Sequence, residues 1–388
     1  MFNYYIPTRV IFGSGEIKKI DTASLPGKNA LIVMSKGGSL RKNGFLDILT
    51  SQFETGGISY TLFEEIVPNP TLSSVTDGAR KARENNCDFI LGFGGGSSID
   101  AAKAIAIMAT NDGNYWDYIP SGSGKGMEIK NEPLPIMTIS TTSGTGSEAD
   151  PWCVVTNEKM NEKIGFGYEK TFPTLSIIDP ELTLSVPPNL TAYQGFDALF
   201  HSIEGYINKI HYTISDIYCL ESIRLVGKYL PDAVKDGTDL TAREKMSMAN
   251  LLAGFVQSTS GCISEHAMEH AMSAYHPELP HGAGLILISV EYFTFLIKSG
   301  ACHERFIKMA KALGKYNADK SMDFIEALKD LQKKCGVDSL KMSDFGITKD
   351  ELPDLAANAR ATMGGMFDCD PSVISSKDCI EIFEKSYK

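Results

Sequence analysis

The chain has little of what would tie it to a membrane, a nucleic acid or an oxidising compartment. No uninterrupted apolar run approaches the roughly 20 residues that a bilayer crossing needs. The start, Met1 to Pro7, lacks a basic segment followed by an apolar one, so no leader is expected. There is no basic run long enough to track a phosphate backbone, and the net charge of -11 is spread along the sequence. Nucleic acid and anionic membranes are therefore not expected as partners. Cys87, Cys153, Cys219, Cys262, Cys302, Cys335, Cys369 and Cys379 include no C-x-x-C pair. Neither a disulfide framework nor a zinc ribbon is signalled, and free thiols in a reducing cytoplasm are expected. Two nucleotide signatures are also missing, G-x-x-x-x-G-K-[ST] and G-x-G-x-x-G, which excludes a standard P-loop NTPase and an ordinary Rossmann dehydrogenase.

What is present reads as two domains, the natural division for 388 residues of which 43% are hydrophobic and 22% charged. In residues 1–184, apolar runs of strand length alternate with helix-like segments. The runs are Arg9 to Phe12, Asn29 to Met34, Ser59 to Phe63, Asp88 to Phe93 and Leu134 to Ile139. That alternation predicts an α/β domain with a parallel sheet and helices on both faces. From about Ser185 the chain reads as helices broken by Gly, Pro and Asn, with apolar residues at three and four spacing. An all-α domain over 185–388 is expected, with the boundary near Pro180 to Pro187.

Two loops of the first domain have the composition of a phosphate cradle. Gly94, Gly95, Gly96, Ser97 and Ser98 follow a strand and open a helix that continues through Asp100 and Lys103. Glycines let backbone N–H groups approach a phosphate, and the helix N-terminus favours negative charge. Thr141, Thr142, Ser143, Gly144, Thr145, Gly146, Ser147 and Glu148 follow another strand and supply hydroxyls and amides at the same end of the sheet, where ligands of open α/β folds bind.

The second domain carries a different signal. Asp197 and His201, four residues apart, share one face of a helix and aim a carboxylate and an imidazole at one point. His266 and His270 repeat the spacing, and His281 follows in what reads as a turn between Pro280 and Gly282. Carboxylate with imidazoles suits ferrous iron, zinc, cobalt or nickel. Five of the seven histidines fall in these clusters or between the last two.

Taken together, Gly94-Gly95-Gly96-Ser97 with Asp100 and Lys103, the Thr141 to Glu148 loop, Asp197-x3-His201, His266-x3-His270 and Pro280-His281-Gly282 resemble the iron-containing (group III) alcohol dehydrogenases over essentially the full chain. Among subgroups, Gly37-Gly38-Ser39, Asn43-Gly44, Pro68-Asn69-Pro70, Glu162 to Gly167 and His281 to Gly284 look most like the NADP-dependent butanol dehydrogenases.

The resemblance implies a dehydroquinate-synthase-like fold with the active site in the cleft between a dinucleotide-binding and a helical domain. It implies a metal-dependent oxidoreductase that interconverts a small primary alcohol and its aldehyde by hydride exchange with NAD(P)(H). A glycerol-dehydrogenase-like or dehydroquinate-synthase-like relative with another substrate is the alternative. By the same resemblance, Asp197, His201, His266 and His281 hold Fe2+, or Zn2+ or another divalent metal. His270 stands near the nicotinamide as a proton relay. Cofactor contacts are expected from Gly37, Gly38, Ser39, Asn69, Gly94, Gly95, Gly96, Ser97, Ser98, Asp100, Thr141, Thr142, Thr145, Ser147 and Lys163. The stretch from Ala271 to Pro280 is one residue longer than is common in the family and includes His276, which reads first as a loop residue and only second as a competing ligand. A homodimer or larger homo-oligomer is also implied.

Two further expectations rest on the residues. Arginine is sparse in the helical half (Arg224, Arg243, Arg305, Arg360), so a multi-cation pocket for a phosphorylated or polycarboxylate substrate is not expected and a small neutral alcohol or aldehyde fits better. The loop Ser35 to Lys42 contains no acid to accept from the ribose 2′-hydroxyl, which favours NADP(H) over NAD(H). Lys36 is the nearest cation in that loop, with Arg41 and Lys42 further along.

Overall fold

In the computed structural model, which describes residues 2–388, the chain divides into two compact units. One comprises residues 6–142 and 147–185, the other residues 2–5, 143–146 and 186–388.

The first unit is built on six parallel strands. In chain order its elements are β1 (Arg9–Phe12), β2 (Asn29–Ser35), α1 (Ser39–Lys42), α2 (Phe45–Thr55), β3 (Ser59–Ile66), α3 (Leu72–Glu84), β4 (Phe89–Gly94), α4 (Gly96–Thr110), α5 (Tyr115–Tyr118), β5 (Ile136–Ser140), β6 (Cys153–Asn157), β7 (Glu162–Phe166) and β8 (Leu175–Ile178). The sheet order is β1-β8-β5-β4-β2-β3, and β6 and β7 form a separate antiparallel pair. Central strands β4 and β5 are buried along their whole length, as their unbroken apolar runs require. β2 lies between β3 and β4. From it the chain first moves outward to β3 and then returns past β2 to β4, so connections diverge on either side of the β2–β4 seam. That reversal is a topological switch point, where open α/β sheets bind their ligands beyond the strand ends.

The sequence pattern predicts neither β8 nor the β6–β7 pair. β8 is only four residues long, and Glu162 and Lys163 of β7 are charged yet buried, a combination that hydropathy patterning assigns to a loop. A buried polar network accounts for part of this region. Lys103 of α4 is fully enclosed and donates to Asp150 Oδ1 (3.0 Å), Ser147 Oγ (2.9 Å) and the Asp150 and Trp152 carbonyls. Asp100 accepts from Ser147 Oγ and, at 3.0 Å, from the Val154 N–H. A buried charge persists only when paired and hydrogen-bonded in this way.

The second unit is helical: α6 (Pro188–Ile207), α7 (Thr213–Lys235), α8 (Leu240–Gln257), α9 (Ser264–Tyr275), α10 (His281–Lys298), α11 (His303–Ala312), α12 (Asp323–Lys334), α13 (Leu352–Asp368) and α14 (Ser376–Ser386). Pro188 at the first turn of α6 costs no hydrogen bond, because that N–H would have no helical partner. Phe196, Phe200 and Ile203 of α6 enter an apolar core that continues through Phe293, Phe306 and Phe324, with ring centroids 5.3–6.0 Å apart along Phe200, Phe293, Phe324 and Phe306. One residue on from each of these positions stand Asp197, His201 and Glu204, also buried. Thus α6 is apolar on one stripe and chemically reactive on the next. By length and apolarity α10 alone among the described residues passes for a membrane span, but it packs against α6, α9, α12 and α14.

Candidate functional site

Three helices bring four side chains together. Asp197 and His201 come from successive turns of α6, His266 from the first turn of α9, and His281 is the first residue of α10. His281 is therefore not in a turn, as Pro280 and Gly282 suggest. Pro280 is the N-cap of α10, and Gly282 is needed because a Cβ there would stand 2.1 Å from the Tyr193 carbonyl oxygen of α6. Around Asp197 Oδ1 lie His201 Nδ1 at 3.4 Å, His281 Nε2 at 3.5 Å and His266 Nε2 at 3.7 Å. The rings of His201 and His266 stack with centroids 4.3 Å apart. Asp197, His201 and His266 are buried, while the His281 side chain is 21% exposed and marks the open side.

These distances exceed a hydrogen bond, and Asp197 Oδ1, His201 Nδ1 and His266 Nε2 have no hydrogen-bond partner. Leaving such a buried group unsatisfied costs about 1–3 kcal/mol. A divalent cation among them would satisfy all three. Donor atoms of Asp197, His266 and His281 lie within 4.8 Å of one another, and so do those of Glu269, His270 and His281. The donor set fits a borderline divalent metal.

Two carboxylates that the sequence pattern passes over complete the arrangement. Glu204 Oε1 faces His266 Nδ1, and Glu269 Oε2 faces His281 Nδ1; both glutamates are fully buried. Each carboxylate holds the N–H of its imidazole and leaves Nε2 turned inward, the usual support for a metal-ligating histidine. Glu204 Oε2 also accepts from the Ile263 N–H at 2.7 Å, fixing the entry to α9. The signal was there to read: Asp197, His201 and Glu204 fall at i, i+4 and i+7 on one helix face. Gly284 leaves room for Glu269, since a Cβ there would meet its Cγ at 2.7 Å.

The site's electrostatics follow from this packing. Burial opposes ionisation of Asp197, but His201, His281 and His266 hold its carboxyl down at about 2. Burial brings His201 to about 4, against the pull of Asp197. His266 lies well above its ordinary value despite burial, because Cys262 and Glu204 favour its charged form. Burial, with the charge of Glu204 beside it, lifts Glu265 well above its ordinary value.

His270 is buried one turn on from His266, with its ring centroid 5.4 Å from that of His281. His276 is placed elsewhere: its Nε2 lies 3.1 Å from Glu351 Oε2, and it belongs to none of the donor groups. The segment Ser143–Gly146 packs within the helical unit. Ser143 N–H reaches Gln194 Oε1 (3.2 Å), Gly146 N–H reaches Asn250 Oδ1 (2.8 Å), and the Thr145 carbonyl accepts from Gln257 Nε2 (2.6 Å). A Cβ on Gly144 would stand 2.9 Å from Gln194 Cα and 3.1 Å from Asp197 Oδ2.

In the sheet unit, the loops expected to meet a dinucleotide leave the ends of four contiguous strands, β5, β4, β2 and β3. Gly37, Gly38 and Ser39 follow β2, and Asn69, with φ of 54°, follows β3. Gly94 ends β4, Gly95 follows it, and Gly96, Ser97 and Ser98 open α4, while Thr141 and Thr142 follow β5. No side chain caps the N-terminus of α4, where Gly95 is the N-cap. Gly94 takes φ of 151°, and a Cβ on Gly95 would stand 2.9 Å from Thr142. Asp100 and Ser147 do not point out of this edge; they bond to each other inside the unit, and Lys163 is buried in β7. The loop after β2 also has acids beside it that its own sequence lacks. Arg41 makes a two-point contact with Glu64 (2.8 and 2.6 Å), and Lys36 Nζ lies 3.7 Å from Glu65, both from β3.

Comparison with known proteins agrees with this architecture. Residues 7–180 match the iron-containing alcohol dehydrogenase family, and residues 191–387 match the C-terminal region of the Fe-containing alcohol dehydrogenase family. The chain is 32% identical to NADH-dependent butanol dehydrogenase A of Clostridium acetobutylicum, over 100% of this chain and 99% of that one. It is 33% identical to 1,3-propanediol dehydrogenase of Citrobacter freundii, with the same coverage. The crystal structure of an archaeal halo-thermophilic alcohol dehydrogenase from a Red Sea brine pool superposes with a TM-score of 0.95 at 35% identity, covering 100% of this chain and 99% of that chain. The chain is an enzyme and belongs to the iron-containing alcohol dehydrogenase family.

Proposed function

We propose that the chain interconverts a small neutral primary alcohol and its aldehyde, with Asp197, His201, His266 and His281 holding the divalent metal, Fe2+ by preference. The observation that carries this reading is the approach of three imidazole nitrogens to within 3.7 Å of one buried carboxylate oxygen, with no hydrogen bond to account for it. A bound metal supplies Lewis acidity toward the alcohol or aldehyde oxygen, and the nicotinamide supplies the hydride acceptor or donor. The chain's own residues do the rest. Glu204 and Glu269 orient His266 and His281, the apolar packing around α6 excludes water, and His270 moves the hydroxyl proton because imidazole titrates in the useful range. A neutral substrate agrees with the helical half, where Arg305 is occupied with Asp216 (2.7 Å) and Arg224 with Glu221 (2.6 Å). The named relatives act on butanol and propanediol, which are neutral too. An anaerobic assay of NADPH and NADH oxidation with aldehydes of increasing chain length, run with metal analysis, tests the whole reading. Turnover with no bound metal would overturn it.

NADP(H) is the proposed preference. Its support is the acid-free loop Ser35 to Lys42, with nothing within 4 Å of a Cβ on Gly37 or Gly38. A second reading, NAD(H), is favoured by Glu64 and Glu65, which already occupy Arg41 and Lys36, and by the NADH dependence of the butanol dehydrogenase relative. Exposed ion pairs are weak, whereas a contact from a cation to phosphate is among the stronger hydrogen bonds, so a 2′-phosphate can draw these cations away. Gly38→Asp should weaken NADPH binding roughly tenfold or more while leaving NADH nearly unchanged. Equal dissociation constants of the wild type for both nucleotides would defeat the preference. We further propose a homodimer or larger assembly, on the family resemblance, and a cytoplasmic location, which suits the eight free cysteines. Sedimentation showing only monomer at micromolar concentration would refute the assembly.

A further inference from the structure

The metal centre has a donor that the four-ligand reading leaves idle. Cys262 lies in the turn between α8 and α9. Its Sγ, a ring nitrogen of His201 and a ring nitrogen of His266 form a group of donor atoms all within 4.8 Å of one another. His266 also belongs to the group with Asp197 and His281, so the two groups share a corner. The histidines are independent witnesses: both are buried, and His201 Nδ1 and His266 Nε2 have no hydrogen-bond partner. Among the described residues no other cysteine joins such a group.

The thiol is held there by its backbone. Gly261 takes φ of 70°, a left-handed conformation that turns the chain into α9. Asn208 Nδ2 donates to the carbonyls of Ser260 (2.7 Å) and Cys262 (3.2 Å), and Glu204 accepts from the Ile263 N–H. Asn208 directly follows α6 and Glu204 lies within it. The helix that presents Asp197 and His201 therefore also fixes the cysteine.

We propose that Cys262 is a conditional metal ligand. Zn2+, Co2+ or Cd2+ in this centre is bound by the Cys262 thiolate with His201 and His266, whereas Fe2+ is held by Asp197, His201, His266 and His281. The proposal rests on the reading that these four side chains hold a metal. Its chemistry is ligand softness, since a thiolate discriminates among divalent ions far more than a carboxylate does. On binding, the S–H bond breaks, a metal–sulfur bond forms and the proton leaves to solvent, with no electron transfer and no co-reactant. The thiolate draws the ion toward His201 and away from the more open His281 side, so the zinc form should keep its metal but turn over slowly.

X-ray absorption on full-length wild-type protein, stripped by chelator and reloaded anaerobically with Zn2+, tests this directly. The expected result is one sulfur neighbour at about 2.3 Å beside nitrogen neighbours at about 2.0–2.1 Å. The Co2+ form should show a sulfur-to-cobalt charge-transfer band in the near ultraviolet. In Cys262→Ser both signals should vanish at unchanged stoichiometry, and selectivity for Zn2+ over Fe2+ should fall by roughly tenfold. Full zinc occupancy with only nitrogen and oxygen neighbours in the wild type would overturn the proposal while leaving the metal centre intact. Failure of the wild type to retain any divalent ion would overturn the metal centre and this proposal with it. The wild-type spectrum decides the matter even if the variant does not fold.

Discussion

The two units prepare for their ligands in opposite ways. At the edge of the sheet, the features are made by leaving side chains out: Gly94 at positive φ, Gly95 against Thr142, open space at Gly37 and Gly38, and an uncapped α4. In the helical unit they are made by burying side chains that helices seldom bury, Asp197, His201, Glu204, His266, Glu269 and His270, each at most 4% exposed. The sheet edge offers backbone N–H groups and so suits a phosphate, which needs many weak donors and little specificity of side chain. The helical centre offers lone pairs in fixed directions and suits a cation. The first should be broken by adding atoms and the second by removing them.

The largest effect expected is therefore a deletion in the helical unit. His201→Ala or His266→Ala should lose the metal and with it all measurable activity, because one of the four proposed ligands is gone. His270→Ala should keep the metal and lose about 10²- to 10⁴-fold in turnover, the usual contribution of a proton-transferring group. Metal analysis of these three purified variants and of His281→Ala decides, and loss of metal from His270→Ala with retention in His281→Ala would reverse the ligand assignment. One step smaller is Glu204→Gln, which keeps the size but no longer holds the His266 N–H as a carboxylate. Metal affinity should fall by about 10–100-fold, measured by competition with a chelator.

The last of these variants also marks the limit of what sequence conveys. Asp197, His201, His266 and His281 stand out because histidine is scarce and their spacing is helical, and the parallel strands stand out as unbroken apolar runs. Glutamate is common, so Glu204 is marked only by sharing a helix face with Asp197 and His201, and nothing separates Glu269 from surface residues until α9 and α10 are packed. Glu64 and Glu65 escape for a related reason: they sit on β3, in register beside β2, so pairing rather than proximity in sequence brings them to the loop after β2. Strand β7 is hidden by its own charges, of which Glu162 is made tolerable in the folded state by the Trp116 Nε1–H and by the N–H and hydroxyl of Ser123.

The complementary test adds one methyl group to the sheet unit. In Gly92→Ala the new Cβ would lie 2.9 Å from Ile99 Cα, so α4 must shift; overpacking of this kind costs about 1–3 kcal/mol. Thermal unfolding should report that loss, and nicotinamide affinity should weaken while metal content holds. A fall in metal content would show that the two kinds of site are not separable.

A further effect concerns pH. Burial lifts Glu148 from 4.5 to about 7. The folded state thus binds this proton more tightly than the unfolded chain, and the associated stability is full below about 4.5 and lost as pH rises through about 7. The loss is at most on the order of 3 kcal/mol. Glu148→Gln should flatten this part of the stability profile measured by urea unfolding between pH 5 and 8, and an unchanged slope would refute the assignment.

Gly284 has a consequence for anyone who varies this protein by random mutagenesis. It is neither a proposed metal ligand nor an expected cofactor position, yet a side chain there collides with the Glu269 carboxylate that faces His281 Nδ1. Libraries covering α10 should return inactive clones at this codon as often as at His281 itself. Screening by activity alone would then record Gly284 as part of the chemistry, whereas its contribution is room for a neighbour.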